Sequence, residues 1–458
     1  MIFAVQCMGW EMALHCSPAP LLFLIWRSSM GMIGSIPFRL RQHVHTKKKS
    51  RHERDKFLLK LIEKRISSFH NGIHESISRD REFTLYLCIG FLSGVAGGIN
   101  NSIFNNFLSN VFHLSESARG LLEFPRELPG FLVVFVLSIL AFLGDTRIVS
   151  IAMFGAAIGI AGLGFSQSYG VLVLFLMIFS MGQHLYMPIA SSMGMHLSNP
   201  EKFGARLAKY NAYNLSASLL GYAIVWAGFK YLHVSYKAAF IFAAFFYLFS
   251  AFTSMLMKKQ EPHHKSFKLI IRKRYTLYYL LCIVNGARKQ IFLTFAPWVL
   301  IQVYGIGPET FALYGVIVAL VSILTRTLVG NAIDTLGERK VLSIEAVVLF
   351  LLCLGYSFAA NIFTAPVALA VIAACYIIDS STSAVDMARS TYMRKIALYP
   401  SDITHTLSLG ITVDHMVSMS IPILGGFLWA AFGYQAVFLS AAVIAISNFV
   451  LSMKIRID

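Results

Sequence analysis

The chain has 458 residues, of which 57% are hydrophobic and only 13% are charged. A soluble protein carries about 25% charged residues, so this composition excludes an ordinary soluble domain and indicates a membrane protein. The formal net charge of +17 does not indicate nucleic-acid binding. The basic residues lie in the N-terminal region and between apolar runs, as cytoplasmic Lys and Arg do in integral membrane proteins.

Residues 1–82 form a basic N-terminal segment that differs from the rest of the chain. It is not a clean signal peptide, because no basic region precedes its apolar stretch. Nor is it a spanning helix, and its apolar stretch is interrupted by Glu11, His15, Pro18 and Pro20. The basic run 39–56 and the amphipathic run 57–66 predict a helix on the cytoplasmic membrane surface. The alternative is a disordered tail, with residues 1–35 translated in part from a mis-assigned upstream start.

From Phe83 onward the chain contains twelve apolar segments, each near the about 20 residues that a bilayer requires. The predicted spans are 84–111, 120–144, 147–166, 171–196, 207–231, 236–257, 276–304, 309–333, 340–360, 364–393, 404–431 and 434–454. The linker 258–275 divides them into a group in 83–257 and a group in 276–458. Since a lipid-exposed backbone must satisfy its own hydrogen bonds, we predict an all-α membrane protein with twelve transmembrane helices.

The loop charges predict one orientation. Only Arg119, Lys230 and Lys237 lie on the side opposite the N-terminus, whereas the other loops with Lys and Arg lie on the N-terminal side. Both termini are therefore predicted to be cytoplasmic. We expect a monomeric, multi-pass protein of the bacterial inner (plasma) membrane.

A family resemblance rests on the loop between the eighth and ninth spans, which reads GNAIDTLGERK. Gly330, Asp334, Gly337, Arg339 and Lys340 match a cytoplasmic loop motif, so that the chain resembles the major facilitator superfamily. The resemblance covers 83–456 and implies two pseudo-symmetric six-helix bundles of a secondary transporter.

The loop between the second and third spans carries a reduced form of this motif. Gly144, Asp145 and Arg147 are present, but Ile148 stands where a glycine is expected. An aspartate at this position can accept hydrogen bonds from a helix N-terminus, and the arginine can pair with a helix C-terminus or an acid. We therefore predict a gating latch; the alternative is a short polar turn at the membrane edge. The latch candidates are Asp145, Arg147, Asp334 and Arg339.

Two departures from superfamily patterns leave the coupling ion open. The fourth span lacks the arginine of many proton-coupled members, and the fifth lacks the Gly-Pro pair of many drug–proton antiporters. The expected coupling ion is H⁺ or Na⁺.

Polar groups at mid-depth form the predicted site. In the superfamily the first, fourth, seventh and tenth helices line the central cavity, and ionisable groups within spans are costly and usually functional. The predicted substrate- and ion-binding residues are Asn101, Asn105, Gln183, His184, Asn285, Arg288, Lys289, Asp379 and Asp386. Asp414 and His415 of the eleventh span are candidates for the same network.

Each of these charges has a competing interpretation. Arg288 and Lys289 either bind an anionic group of the solute or pair with Asp379 or Asp386. Asp379 either takes up a proton during transport or serves structure, since burial favours the protonated carboxyl group and a nearby cation favours the carboxylate. For Asp386 the alternative is an (i, i+3) pair with Arg389.

The stretch LLEFPRELPG (121–130) opens the second span and carries an unusual number of charges. It is either the solvated end of a helix or an external gate formed by Glu123, Arg126 and Glu127. Pro129 favours the gate, because its missing N–H loosens the helix one turn from its start.

The sequence thus predicts a secondary active transporter that moves a small polar solute, anionic or zwitterionic, by alternating access with ion coupling. No zinc spacing, nucleophile motif or phosphate loop is present, so we expect no enzyme, no cofactor and no metal site. The alternatives are a membrane-embedded enzyme and a non-transporting sensor on the same fold.

Overall fold

The computed structural model describes residues 51–197, 203–259 and 271–456. For 51–80, 195, 203–205 and 404 it describes the backbone only. The chain divides into two units, Met1–Ser76 and Ile77–Asp458, and every residue whose side chain is described belongs to the second unit. Most of the predicted basic run 39–56 and most of the linker 258–275 lie outside the described residues.

Twelve long helices follow one another in the described part of the chain. Their bounds are α1 Arg51–Asn110, α2 Glu116–Leu143, α3 Asp145–Phe165, α4 Tyr169–His196, α5 Phe203–Tyr231, α6 Tyr236–Met255, α7 Thr276–Gln302, α8 Pro308–Leu336, α9 Glu338–Ile362, α10 Ala365–Ile396, α11 Pro400–Phe432 and α12 Tyr434–Met453. They correspond one to one with the twelve predicted spans.

Ten of these helices are long and apolar enough to cross a membrane. The other two, α5 and α7, have 29 and 27 residues and are more polar. In α7 the reduced hydropathy comes from the consecutive Arg288, Lys289 and Gln290. The count of twelve is therefore consistent with the length of every helix.

Two helices are locally interrupted. Helix α2 begins at Glu116, four residues before the predicted span, because the Ser115 hydroxyl accepts a hydrogen bond from the Ala118 N–H. A break at Leu122 separates its first six residues from Glu123–Leu140. Helix α10 tightens to a 3₁₀ turn at Thr382–Val385, between the segment that carries Asp379 and the segment that begins at Asp386.

Glycines with positive φ directly follow three of the described helices, and the first of them, Gly144, follows α2 with φ of 74°. Gly337 follows α8 with φ of 79°, and Gly433 follows α11 with φ of 83°. No neighbouring atom lies within 4 Å of a Cβ built at Gly337, so the backbone conformation rather than space requires glycine there.

The first six helices (first group) and the last six (second group) pack in the same way. In the first group α3 packs on α4 and on α6, and α2 packs on α4. In the second group the same pairs recur six helices later: α9 with α10, α9 with α12, and α8 with α10. This repetition is the pseudo-symmetry that the family resemblance implied.

Small residues allow very close helix contacts within the first group. A Cβ at Gly94 would meet the carbonyl oxygen of Asn214, and one at Gly98 would meet that of Ser218. Gly221 approaches the backbone of α1 from the other side in the same way. Such contacts let α1 and α5 pack backbone to backbone, as is common in membrane helices.

The two groups meet along α2 with α11 and along α5 with α8. We call the end of the bundle that carries the α2–α3 and α8–α9 loops the motif end, and the other end the opposite end. At the opposite end a Cβ at Gly120 of α2 would collide with the carbonyl oxygen of Pro422 in α11, and the Ser117 hydroxyl donates to the Gly426 carbonyl at 3.4 Å. Gln302 donates to the Ser109 hydroxyl at 3.0 Å.

Candidate functional site

Glu123 joins the two groups through a buried carboxylate. Its side chain has 0% exposure, and it forms ion pairs with Arg119 and with Arg126 Nε, the latter at 2.6 Å. From the second group Gln290 Nε2 donates to Glu123 Oε2 at 2.7 Å. The solvated-end interpretation of LLEFPRELPG is therefore wrong for Glu123, because α2 starts earlier, packs against α11 and contacts Gln290 of α7.

Arg119 ties this carboxylate to α1. Its guanidinium donates to Asn105 Oδ1 at 3.1 and 3.3 Å, and it lies 5.8 Å from the ring centroid of Trp298. The predicted site residue Asn105 thus contacts the predicted gate residue Glu123 through one arginine. We call Arg119, Glu123, Arg126 and Gln290 the Glu123 cluster.

A second contact between the groups lies about one turn further along α2. Glu127 Oε2 is 3.0 Å from His415 Nδ1 on α11, and its other oxygen is 3.0 Å from Arg126. The His415 ring packs edge-on against the ring of His184 from α4, with centroids 5.0 Å apart. His184, predicted as a binding-site residue, therefore contacts His415, the partner of the gate residue Glu127.

Helix α4 holds α2 near its proline. The Ser180 hydroxyl donates to the carbonyl of Arg126, one turn before Pro129. It also lies 3.0 Å from His184 Nδ1. The loosened part of α2 therefore has a hydrogen-bonding partner on α4.

The second group contains a network of buried charges. Arg288 Nη1 donates to Asp379 Oδ1 at 2.7 Å, with both side chains largely buried. Arg288 also donates to Asn285 Oδ1 at 3.3 Å, and the Asn285 amide donates to Asp386 Oδ1 at 3.3 Å. One chain of contacts therefore links α7 to both segments of α10.

Arg389 forms the ion pairs of this network that lie nearest the motif end. It pairs with Asp386 three residues before it and with Glu345 of α9 at 3.1 Å. The Arg389 and Glu345 side chains are almost fully buried, whereas 53% of the Asp386 side chain is exposed. Asp386 is thus the most exposed charged residue of this network. Its predicted (i, i+3) pair with Arg389 is present.

Lys289 points away from Arg288 to a different helix. It pairs with Asp414 of α11, rather than with the predicted Asp379 or Asp386. Successive residues of a helix are about 100° apart, so that Arg288 and Lys289 cannot face the same neighbour. Asp414 joins the charged core in this way.

Other predicted residues lie outside these networks. Gln183 donates to Tyr247 of α6 within the first group, and Asn101 is exposed beside Tyr222.

Asp145, a latch candidate, is buried, and its Oδ2 has no hydrogen-bond partner among the residues described. Arg147 and Asp334 are exposed, and Arg339, also exposed, contacts only the sulfur of Met453 at 4.0 Å in the part that can be described.

Four members of the networks are missing from the predicted site: Arg119, Gln290, Glu345 and Arg389. Two had a signal in the sequence, because Arg119 precedes Glu123 by four residues and Arg389 follows Asp386 by three. Glu345 is an isolated acid within an apolar run. Gln290 is a polar residue of the same span, beside Lys289, but its partner lies 167 positions away and could not be predicted.

Long apolar helices around buried, mutually paired charges define an integral membrane protein with a polar interior. The Major Facilitator Superfamily model matches residues 86–397, and the chain belongs to this superfamily. The predicted family and fold class are thereby confirmed. Comparison with curated proteins gives no match.

Solved transporter structures share the fold. The nucleoside transporter NupG has 12% identity and a TM-score of 0.66, with 81% of this chain and 98% of that chain covered. A bacterial homologue of the human lysosomal transporter Spinster, inward-facing and unoccupied, has 15% identity and a TM-score of 0.62, covering 82% and 96%. At such identities the likeness concerns the fold alone.

Proposed function

We propose that the protein is a secondary active transporter that moves a small polar solute by alternating access, coupled to H⁺ or Na⁺. Membership of the superfamily supports transport. The observation that supports the mechanism best is the pair of contacts between the groups, Glu123 with Gln290 at 2.7 Å and Glu127 with His415 at 3.0 Å. Both are side-chain contacts that a rocking motion would break and re-form.

In this proposal the motif end is cytoplasmic, following the distribution of Lys and Arg, and a monomer works in the membrane. Residues 83–257 and 276–458 act as the two bundles, joined by the linker 258–275, and 1–82 form a cytoplasmic tail. The Glu123 cluster and Glu127 then form the closed outer gate of an inward-facing state. The close contact of Gly120 with Pro422 supports this assignment.

The solute site in this proposal lies between the Arg288 network and the polar residues of α1. Arg288, Lys289 and the half-exposed Asp386 give it mixed charge, which favours a small organic anion or zwitterion. A forked guanidinium suits a carboxylate or phosphate of the solute. Nucleosides, which NupG is described as transporting, are included as uncharged candidates.

Ion coupling is assigned to Asp379. Its only ion-pair partner among the described residues is Arg288, which a bound anion would compete for. When Arg288 turns to the solute, the carboxylate loses its counter-charge in a buried place, which favours uptake of a cation. Solute binding and ion binding would be linked through this one arginine.

The test is counterflow in proteoliposomes with labelled organic anions, zwitterions and nucleosides. Saturable exchange of one class without ATP is expected, and Arg288→Ala should reduce it while Thr335→Ala, a variant at the exposed motif end, should not. Absence of exchange for every class, by protein with an intact thermal unfolding transition, would contradict the proposal.

A further inference from the structure

Two histidines and a carboxylate from three helices converge where the groups meet. Glu127 of α2, His184 of α4 and His415 of α11 each offer one ligand atom, and these atoms lie within 4.8 Å of one another. Glu127 is buried and the two rings are partly buried. Two imidazoles and one carboxylate form a common protein ligand set for zinc.

The hydrogen bonding of His184 suits a metal ligand. Its Nδ1 lies 2.9 Å from the backbone carbonyl of Ser180, which can only accept, so that a hydrogen bond there requires the tautomer with the proton on Nδ1. The lone pair of Nε2 is then available. Metal-bound histidines usually donate their second ring N–H to a carbonyl or carboxylate in this way, which fixes ring orientation.

Space for the two rings comes from Gly130. A Cβ at this position would lie 2.7 Å from His184 Nε2 and 2.7 Å from His415 Cε1. Any other residue would push at least one imidazole away from the point of convergence. Gly130 follows Glu127 by three residues on α2, so the carboxylate and the free space share one helix face.

We propose that Glu127, His184 and His415 form a binding site for Zn²⁺ or a similar divalent transition-metal ion. The ion replaces the hydrogen between Glu127 and His415, and a water molecule completes four-coordination. Ligand atoms of a tetrahedral zinc site lie about 3.4 Å apart. Glu127 Oε2 and His415 Nδ1, at 3.0 Å, already lie close to that spacing, whereas the widest separation among the three atoms, at most 4.8 Å, has to shrink by up to about 1.4 Å.

Arg126 is the group that opposes a cation here, since it contacts Glu127 at 3.0 Å. It also contacts Glu123 at 2.6 Å. Arg126 therefore retains an ionic partner when Glu127 turns to the metal. The ligands come from both helix groups, so that a bound ion connects α2 and α4 to α11.

The test uses the purified full-length protein in detergent, stripped of metal by a chelator and titrated with ZnCl₂ by calorimetry. One Zn²⁺ per chain is expected, with a raised thermal unfolding temperature, because binding to the native state stabilises it. His184→Gln and His415→Gln should each weaken binding by at least about tenfold. His113→Gln, which changes an exposed histidine, should bind like the wild type.

Two further measurements separate lost ligands from lost structure. Gly130→Ala keeps all three ligands and should still weaken binding, and Co²⁺ should give tetrahedral absorption bands in the wild type that both histidine variants lack. Thermal unfolding in chelator shows whether each variant is folded. Absence of stoichiometric binding by the wild type, or equal binding by the folded His184 and His415 variants, would overturn the site whether or not the protein transports a solute.

Discussion

Arg288 of α7 and Asp379 of α10 form an ion pair of 2.7 Å in the interior of the second helix group. Asp379→Asn retains a hydrogen-bond acceptor for Arg288 but cannot change charge. We expect this variant to lose accumulation driven by an H⁺ or Na⁺ gradient and to keep counterflow. Accumulation and counterflow are measured in the same proteoliposome preparation.

The control for Asp379 is Asp386→Asn, which removes a carboxylate of the same network whose side chain is 53% exposed. That variant should alter the apparent solute affinity and leave coupling in place. Full gradient-driven accumulation by Asp379→Asn would exclude this aspartate as the coupling group.

Glu123 is expected to stabilise contact at the opposite end. Glu123→Gln removes the charge that Arg119 and Arg126 share, and removal of one partner from a buried ion pair costs about 3–5 kcal/mol. We predict a lower unfolding temperature and faster labelling of an introduced cysteine at Ser117, which lies on the contact with α11.

A matched control lies on the same helix. Glu116 makes no ion pair with the residues that are described, so Glu116→Gln should leave both measurements close to the wild type. Equal labelling rates in Glu123→Gln and wild type would show that the Glu123 cluster does not hold this end closed.

Gly120 tests the backbone contact without changing any charge. In Gly120→Ala the new methyl group would collide with the Pro422 carbonyl oxygen, and such overpacking costs typically about 1–3 kcal/mol. We expect α2 and α11 to separate, with faster labelling at the opposite end. Gly330→Ala adds the same methyl group where no atom lies within 4 Å, and it should leave the labelling rate unchanged.

Much of the fold was predictable because each span is defined locally. Twelve apolar runs of the right length became twelve helices, and the motif at Gly330–Lys340 identified the superfamily that residues 86–397 match. The boundary of α2 was less predictable, since the Ser115 cap and not hydropathy sets it.

Partners across the bundle could not be predicted in the same way. Spacing along a helix indicated the pair of Asp386 with Arg389, but Lys289 pairs with Asp414, 125 positions away. The approach of His184 to His415 depends on the packing of α4 against α2 and of α2 against α11. Side-chain contacts between different helices depend on how the helices pack, and this packing cannot be predicted from a single sequence.

The loop motif gives the last prediction. Asp334 is exposed and makes no hydrogen bond or ion pair with any described residue, so its removal should not weaken the conformation described here. If Asp334 forms a latch, it forms it in another conformation, which Asp334→Ala then destabilises. The equilibrium should therefore shift toward closure at the opposite end, seen as slower labelling of the cysteine at position 117. Thr335→Ala, at the next residue, is the control, and unchanged labelling in Asp334→Ala would mean that Asp334 marks only a polar turn.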